Sequence, residues 1–406
     1  MRCGLLGERL GHSRSPEIHK MLCDYSYELF EISPERLGDF FETTAFDGIN
    51  VTIPYKKAVI PYCAKLSKIA KEIGSVNTIV RCEDGSLYGD NTDAAGFEAM
   101  IACEKNPRGK KVLVLGSGGA AVTVCYVLRQ KGADVRVISR QGEDNYDHLE
   151  QHADAQWIVN TTPLGMYPNT GVAPISLRMF PNCEAVFDLI YNPYRTQLLL
   201  DAEERGIFSK NGWTMLVEQA ACVAERFTGS HISQERRKVI LAEMQKANQN
   251  IVLIGMPGSG KSSIGEAVSS LMGRRFVDTD EVLRVRYGSI PKIFAEQGEE
   301  AFRKMEHTVL REVSRETGIV LATGGGCITR SENIGLLRQN GVVVFLERPI
   351  CELAQEGRPL SIDLPRMYET RLPLYQRAAD FTITNNASPL SVATQIKEVY
   401  DENFGD

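Results

Sequence analysis

The chain reads as α/β with parallel sheets, on three observations. Short apolar strands alternate with helix-length periodic segments almost throughout. Two glycine-rich turns, GSGGAA from Gly116 and GMPGSGKSS from Gly255, each follow an apolar strand of their own. The 406 residues, 43% hydrophobic and 24% charged, suffice for two or three domains that each bury a core.

The alternation runs in order along the chain. The apolar run RCGLLG precedes the periodic segment SPEIHKMLCDYS, and YELFEI precedes SPERLGDFFETTAF. VLVLGSG leads into GAAVTVCYVLRQKG, which leads into the strand DVRVIS. Near residue 248 the pattern breaks. Two helical stretches, MLVEQAACVAERFTG and SQERRKVILAEMQKA, are followed by NQN and a fresh strand, IVLIG. Two catalytic units joined by a very short linker are expected.

Composition removes several function classes. The net charge of -6, with no basic cluster, argues against a nucleic-acid partner. The opening apolar run is too short for a signal peptide, and no stretch approaches the about 18 apolar residues of a membrane span. A cytoplasmic location with no membrane partner is expected. Ten cysteines without a CxxC pair read as small buried apolar residues in a reducing compartment.

GMPGSGKS, Gly255 to Ser262, satisfies G-x-x-x-x-G-K-[ST] between a strand and a helix. Gly255, Gly258, Ser259 and Gly260 let backbone N–H groups wrap nucleotide phosphates at a helix N-terminus, with Ser263 next along the helix. Lys261 adds positive charge, and the Ser262 hydroxyl is placed for Mg²⁺. This loop binds ATP or GTP. FVDTD then supplies Asp278 and Asp280, as phosphoryl transfer needs one carboxylate near the metal and one for the attacking hydroxyl. Arg303 in EEAFRKMEH, the Thr323–Gly326 turn TGGG, Arg358 in GRPLS and Arg371 in RLPLY complete the set. An aspartate for hydroxyls with arginines for a carboxylate describes a small hydroxy-acid substrate.

The P-loop, DTD, FRxxE, GGG, RPL and RxxxY in this order resemble shikimate kinase over residues 250–406. The resemblance implies a P-loop kinase fold with a parallel sheet flanked by helices. It implies that Asp280 binds the ring hydroxyls, including the attacking one, and that Arg303 and Arg371 hold the carboxylate. Gly325 and Gly326 would pack on the ring, Asp278 would support Mg²⁺ through water, and Arg358 would close on the phosphates. The stretch between Arg358 and Arg371 is shorter than a usual lid.

In the first half, GSGGAA between a strand and a helix fits either a dinucleotide pyrophosphate or a tight structural turn. The following strand ends in Ser139 and Arg140, with no acid there, which favours a 2′-phosphate and hence NADP(H); Glu143 and Asp144 follow closely. Ahead of this lie Ser13 and Ser15 in GHSRSPEIH, Asn77 in SVNT and Asp93 in GDNTD. Ketone reduction needs a group to stabilise and protonate the developing alkoxide, and a lysine oriented by a carboxylate serves both ends. Lys56 in NVTIPYK and Asp93 are the best pair for that role, although Lys57 stands beside Lys56 and Asp93 also suits a helix cap.

HSxSP, NVTxPxK, VNT, GDNTD, GxGGA, NTTPLGM, FDLIYNPYRTQLL and GWTMLVEQA in this order resemble shikimate dehydrogenase across residues 1–246. The resemblance implies two lobes, a substrate lobe of 1–102 plus 215–246 and a Rossmann-type NADP lobe of 103–214. It implies Lys56 as the catalytic lysine with Asp93 as its partner, acting on 3-dehydroshikimate. Ser13 and Ser15, with Tyr191, would hold the substrate carboxylate, and Thr52, Asn77 and Gln219 would read the ring hydroxyls. Gly116, Gly118, Gly119 and Ala120 would face the pyrophosphate, Arg140 the 2′-phosphate, and Thr161 and Gly212 the nicotinamide side. The family usually carries Asn-Arg-Thr where this chain has Ser139, Arg140 and Gln141.

Together the two resemblances imply a bifunctional enzyme for consecutive steps of chorismate biosynthesis, using NADP(H), ATP and Mg²⁺ on 3-dehydroshikimate and shikimate. The alternatives are a dehydrogenase fused to a nucleotide-binding regulatory module, or one acting on quinate with NAD and joined to a kinase for a different small polyol. Oligomeric state and channelling of shikimate between sites are not readable from the residues.

Overall fold

The computed structural model describes residues 1–11, 13–102, 106–353 and 364–403. The chain forms two compact units. One comprises Met1–Leu164, Ala173–Tyr191 and Asp201–Met244, the other Gly165–Val172, Asn192–Leu200 and Gln245–Asp406.

The first unit holds two sheets. Strands β1 (Arg2–Gly7), β2 (Ser26–Glu31), β3 (Gly48–Val51), β4 (Lys65–Leu66), β5 (Thr78–Arg81) and β6 (Leu87–Asp90) pair in the order β2-β1-β3-β5-β6-β4. β1 is parallel to β2 and β3, whereas β5 runs antiparallel to both β3 and β6. That departure from an all-parallel sheet has a local cause. Only a short turn separates β5 from β6, closed by Gly85 N–H on Cys82 O and by Asp84 accepting from Ser86, and a connection that short permits only a hairpin. The second sheet is parallel throughout, with β7 (Lys111–Leu115), β8 (Asp134–Ile138), β9 (Trp157–Asn160), β10 (Ala185–Asp188) and β11 (Phe208–Lys210) in the order β11-β10-β9-β7-β8. Its central strands read as continuous apolar runs because helices cover both faces.

Two helices at the end of this unit are tied by a buried cation. Arg237, 6% exposed, donates to Glu218 at 2.9 Å and pairs with Glu225 at 2.7 Å, and its Nε donates to Ile232 O at 3.0 Å. Burial pushes the Glu225 carboxyl up, but the Ile232 N–H and Arg237 outweigh it and hold the group below its ordinary value. A carboxyl depressed on folding stabilises above its unfolded pKa, and that stability is lost as pH falls through the folded value. Arg237→Met is therefore expected to destabilise this unit by about 3 kcal/mol, since two carboxylates lose their cation. It should also flatten the acid limb of a plot of Tm against pH. Calorimetry from acid to neutral pH on the two proteins measures both effects.

The second unit is built on a parallel sheet. β12 (Asn250–Ile254), β13 (Phe276–Asp278), β14 (Val320–Ala322), β15 (Gly341–Glu347) and β16 (Phe381–Thr384) pair in the order β13-β14-β12-β15-β16. Its core gathers Ile254, Leu283, Phe302, Leu310, Leu321, Phe345 and Tyr375. The helix Gln234–Asn248 runs almost into β12, with Gln249 alone between them. Carbonyls at its end, unpaired in a free helix, are taken by Arg274, which donates to Lys246 O at 2.6 Å and Gln249 O at 2.7 Å. The segment Asn192–Leu200 belongs here for the same reason. Arg195 donates to Arg338 O and Gly341 O at 3.2 and 3.1 Å, satisfying carbonyls at the C-terminal end of the helix Ser331–Asn340.

Candidate active sites

Strand direction in the first sheet collects the candidate substrate residues on one edge. Thr52 follows β3, Asn77 precedes the reversed strand β5, and Asp93 follows β6, so all three leave the sheet on the same side. Lys56 lies in the turn after Thr52, and its Nζ donates to Asp93 Oδ2 at 2.6 Å, the two side chains being 20% and 11% exposed. Asn77 Nδ2 donates to Asp93 Oδ1 at 2.8 Å, while Asn77 Oδ1 accepts from Thr92 N–H at 2.8 Å. Asp93 thus opens the helix Asp93–Ala102 with both carboxylate oxygens engaged, one by a cation and one by an amide. Lys57 is exposed, which separates it from Lys56.

The remaining candidate residues for a substrate stand on neighbouring elements. Ser13 Oγ accepts from Ser15 N–H at 3.2 Å ahead of the helix Ser15–Leu22. Thr52 is fixed by its N–H on Leu6 O at 2.9 Å. The Tyr191 hydroxyl is pushed up in pKa by burial, against the opposing charge of Arg14. Its ring packs on Trp213 with centroids 5.2 Å apart. Gln219 lies on the helix Trp213–Thr228, held by Nε2 on Leu216 O at 2.9 Å, and packs against Gly96 one turn beyond Asp93.

The second sheet does the same for the candidate dinucleotide residues. Because its strands are parallel, Gly116, Arg140, Thr161, Tyr191 and Gly212 follow β7, β8, β9, β10 and β11 on one edge. β8 and β9 flank β7 on opposite sides, and a ligand crevice forms where strand order reverses. At that junction Gly116 has φ +102°, and a Cβ there would lie 2.9 Å from Thr161 Oγ1, so only glycine fits. Thr161 Oγ1 in turn donates to Leu115 O at 2.6 Å. The backbone at Gly118 and Gly119 borders open space at the start of the helix Gly119–Gln130, where Ala120 occupies the first turn. A helix N-terminus facing open space fits a pyrophosphate. Arg140 is exposed at the end of β8.

In the second unit, all five strands also end on one edge. After β12 come Gly255, Gly258 and Gly260, with φ +151°, +87° and +89°, leading into the helix Lys261–Met272. Lys261 Nζ donates to Gly255 O and Met256 O at 2.9 Å each. Ser262 Oγ donates to Asp278 Oδ2 at 2.6 Å, placing a hydroxyl and a carboxylate together where a hard cation takes oxygen ligands. Ser263 is exposed beside them. Asp278 Oδ1 also caps the next helix through Asp280 N–H at 2.9 Å, which leaves the exposed Asp280 close to Ser262 and Asp278.

Around the turn Gly324–Gly326 the acid and the arginines converge. A Cβ at Gly324 would lie 2.7 Å from Asp280 Oδ1 and 2.9 Å from Glu306 Oε1, and one at Gly326 would collide with the Arg303 guanidinium. Arg371 Nη1 donates to Gly325 O at 3.2 Å. Arg303 is held by Glu306 at 2.9 Å and Glu299 at 3.1 Å. Burial pushes the Glu306 carboxyl up, opposed by Arg303. Arg358 lies outside the described residues.

Sequence-family models match two separate parts of the chain. One described as the shikimate dehydrogenase substrate binding domain matches residues 5–79, and one described as shikimate kinase matches residues 257–401. A shikimate dehydrogenase (NADP(+)) of Shouchella clausii is 39% identical over 254 residues, covering 56% of this chain and 92% of that protein. The chain belongs to the shikimate dehydrogenase family. Its C-terminal part is a shikimate kinase domain. Among solved structures, a chorismate mutase/shikimate 5-dehydrogenase fusion from Clostridium acetobutylicum is 35% identical, with a TM-score of 0.56 over 60% of this chain and 96% of that one. The shikimate 5-dehydrogenase of Thermus thermophilus, solved with NADP(H) and shikimate, is 32% identical, with a TM-score of 0.55 over 60% and 99%.

Three residues of these two domains carry no role in the motif reading. In the dehydrogenase part, Thr92 orients Asn77, and Asn50 accepts from the Tyr27 hydroxyl at 2.8 Å, although both lie inside quoted motifs. In the kinase domain, Glu306 anchors Arg303, and its i, i+3 spacing in FRKME was the available signal. Among the described residues no helix is long and apolar enough to cross a membrane.

Proposed function

We propose that the chain reduces 3-dehydroshikimate to shikimate with NADPH at Lys56 and Asp93, and phosphorylates shikimate to shikimate 3-phosphate with ATP at Asp280. The observation that carries this reading is that each half assembles its own reacting set, Lys56–Asp93–Asn77 in one and Asp280 with Arg303 and Arg371 around Gly324–Gly326 in the other. A nucleotide-binding regulatory module has no need of the second set.

In the first reaction NADPH supplies the hydride. As it reaches the carbonyl carbon, Lys56 stabilises the developing alkoxide and gives its oxygen a proton. Asp93 keeps the ammonium aimed, and Asn77 keeps Asp93 from turning. Ser13, Ser15 and Tyr191 suit the carboxylate, while Thr52 and Gln219 suit the ring hydroxyls. The open helix start at Gly118, Gly119 and Ala120, with Gly116, suits the NADP pyrophosphate, and Thr161 and Gly212 border the nicotinamide side.

In the second reaction Asp280 takes the proton of the 3-hydroxyl, and Arg303 and Arg371 hold the carboxylate. The turn from Gly255 to Ser263 takes the ATP phosphates, with Lys261 as their counter-charge. Ser262 and Asp278 would hold Mg²⁺, which supplies charge neutralisation at the phosphates. Arg358 is proposed as a further phosphate contact.

Cofactor choice tests the dinucleotide part. Arg140→Ala is expected to raise the KM for NADPH by about tenfold to a hundredfold, the value of a charge-assisted pair, while leaving NADH kinetics unchanged. Equal effects on both cofactors would remove Arg140 from the 2′-phosphate.

A further inference from the structure

The second glycine-rich loop is braced by a residue that the phosphate motif does not contain. Asn385 is the first residue after β16, on the edge where β12 also ends, and it is 7% exposed. Its N–H donates to Glu347 O at 2.7 Å, and its side-chain Nδ2 donates to Ser259 O at 2.6 Å. A carbonyl can only accept, so the amide nitrogen is the partner. In a trans peptide the carbonyl and the following N–H point in opposite directions. Pinning Ser259 O toward Asn385 therefore turns the Gly260 N–H away from it. The approach is close. Gly260 has φ +89°, and a Cβ there would lie 2.7 Å from Asn385 Nδ2.

Two other carbonyls of the loop are held in a different way. Gly255 O and Met256 O accept from Lys261 Nζ, the group that must turn to the phosphates when a nucleotide binds. The Asn385 bond makes no such conflicting demand. We infer that Asn385 is a positioning residue for the nucleotide phosphates, keeping the Ser259–Gly260 peptide oriented with its N–H available to an anion while Lys261 changes partners. This deepens, and rests on, the reading of the loop as the ATP site.

The test uses the full chain, titrated with ADP and Mg²⁺ by calorimetry and assayed for kinase activity. Asn385→Leu removes the donor at similar size, and Asn385→Asp replaces it with a carboxylate facing a carbonyl. Both should raise the Kd for ADP by about tenfold or more, Asp further than Leu, with the kinase KM for shikimate within about twofold of wild type. ADP affinity within about twofold of wild type in both variants overturns the inference. If Asn385→Leu loses kinase activity outright, Asn385→Ala, which keeps the backbone bond to Glu347, carries the same comparison. Parallel loss of ADP and shikimate affinity in every variant would mark a purely structural role and equally overturn it. Lys261→Ala separates the bracing role from the reading of the loop itself. It should lower ADP affinity whether or not Asn385 acts, and an unchanged affinity there would strike the ATP site instead.

Discussion

Lys56→Ala is expected to slow NADPH-dependent reduction of 3-dehydroshikimate by roughly a thousandfold, the scale of losing a general acid that also stabilises an oxyanion. The loss should fall on kcat more than on the KM for NADPH, because Lys56 lies in the turn after β3, paired with Asp93, rather than on the dinucleotide edge. ATP-dependent phosphorylation of added shikimate by the same protein should stay within about twofold of wild type, serving as an internal control for folding. The ion pair sharpens the expectation. Removing Lys56 leaves Asp93, 8% exposed, without its cation, although Asn77 still donates to it. Some local destabilisation is therefore expected, and Lys56→Met, which preserves length and packing, should show the same catalytic loss with a smaller change in Tm. A rate for Lys56→Met within about tenfold of wild type would remove this lysine from the proton transfer.

Asp280→Asn should do the converse. The side chain keeps its shape but can no longer take a proton or draw the 3-hydroxyl into line, so kinase kcat should fall by about 10²–10⁴-fold. The helix cap that positions it is made by Asp278 on the Asp280 backbone N–H, which the substitution leaves in place. Stability should therefore change little, and dehydrogenase activity not at all. Spectrophotometric measurement of ADP release, run beside NADPH oxidation on one preparation, decides both halves of the prediction. Retained phosphorylation would return Asp280 to the role of an exposed surface acid.

The α/β class was legible in the alternation of apolar runs with helix-length periodic segments, and the candidate residues of both sites were named from motifs that fall at strand ends. Gly116, Thr161 and Gly212 are far apart in the chain, but each follows a parallel strand, so topology alone brings them to one edge. The reversed strand β5 was not legible as such, since the alternation of strand and helix carries no sign of direction, yet that reversal is what sets Asn77 beside Asp93. Asn385 was invisible for a different reason. It reaches the loop through one side-chain bond to a backbone carbonyl 126 positions away, and no local pattern records such a pairing. The membership of Asn192–Leu200 in the second unit is of the same kind, because Arg195 meets helix-end carbonyls at Arg338 and Gly341 rather than a complementary motif.

We propose that one chain holds two reacting sets for consecutive reactions. This is tested most directly by incubating the purified chain with 3-dehydroshikimate, NADPH, ATP and Mg²⁺ while following NADPH oxidation optically and shikimate 3-phosphate by mass spectrometry. Both NADP⁺ and the phosphorylated product are expected to form, and a mixture of Lys56→Met and Asp280→Asn proteins should restore the overall conversion that is strongly slowed in each alone. Accumulation of unphosphorylated shikimate by the wild-type chain would contradict it.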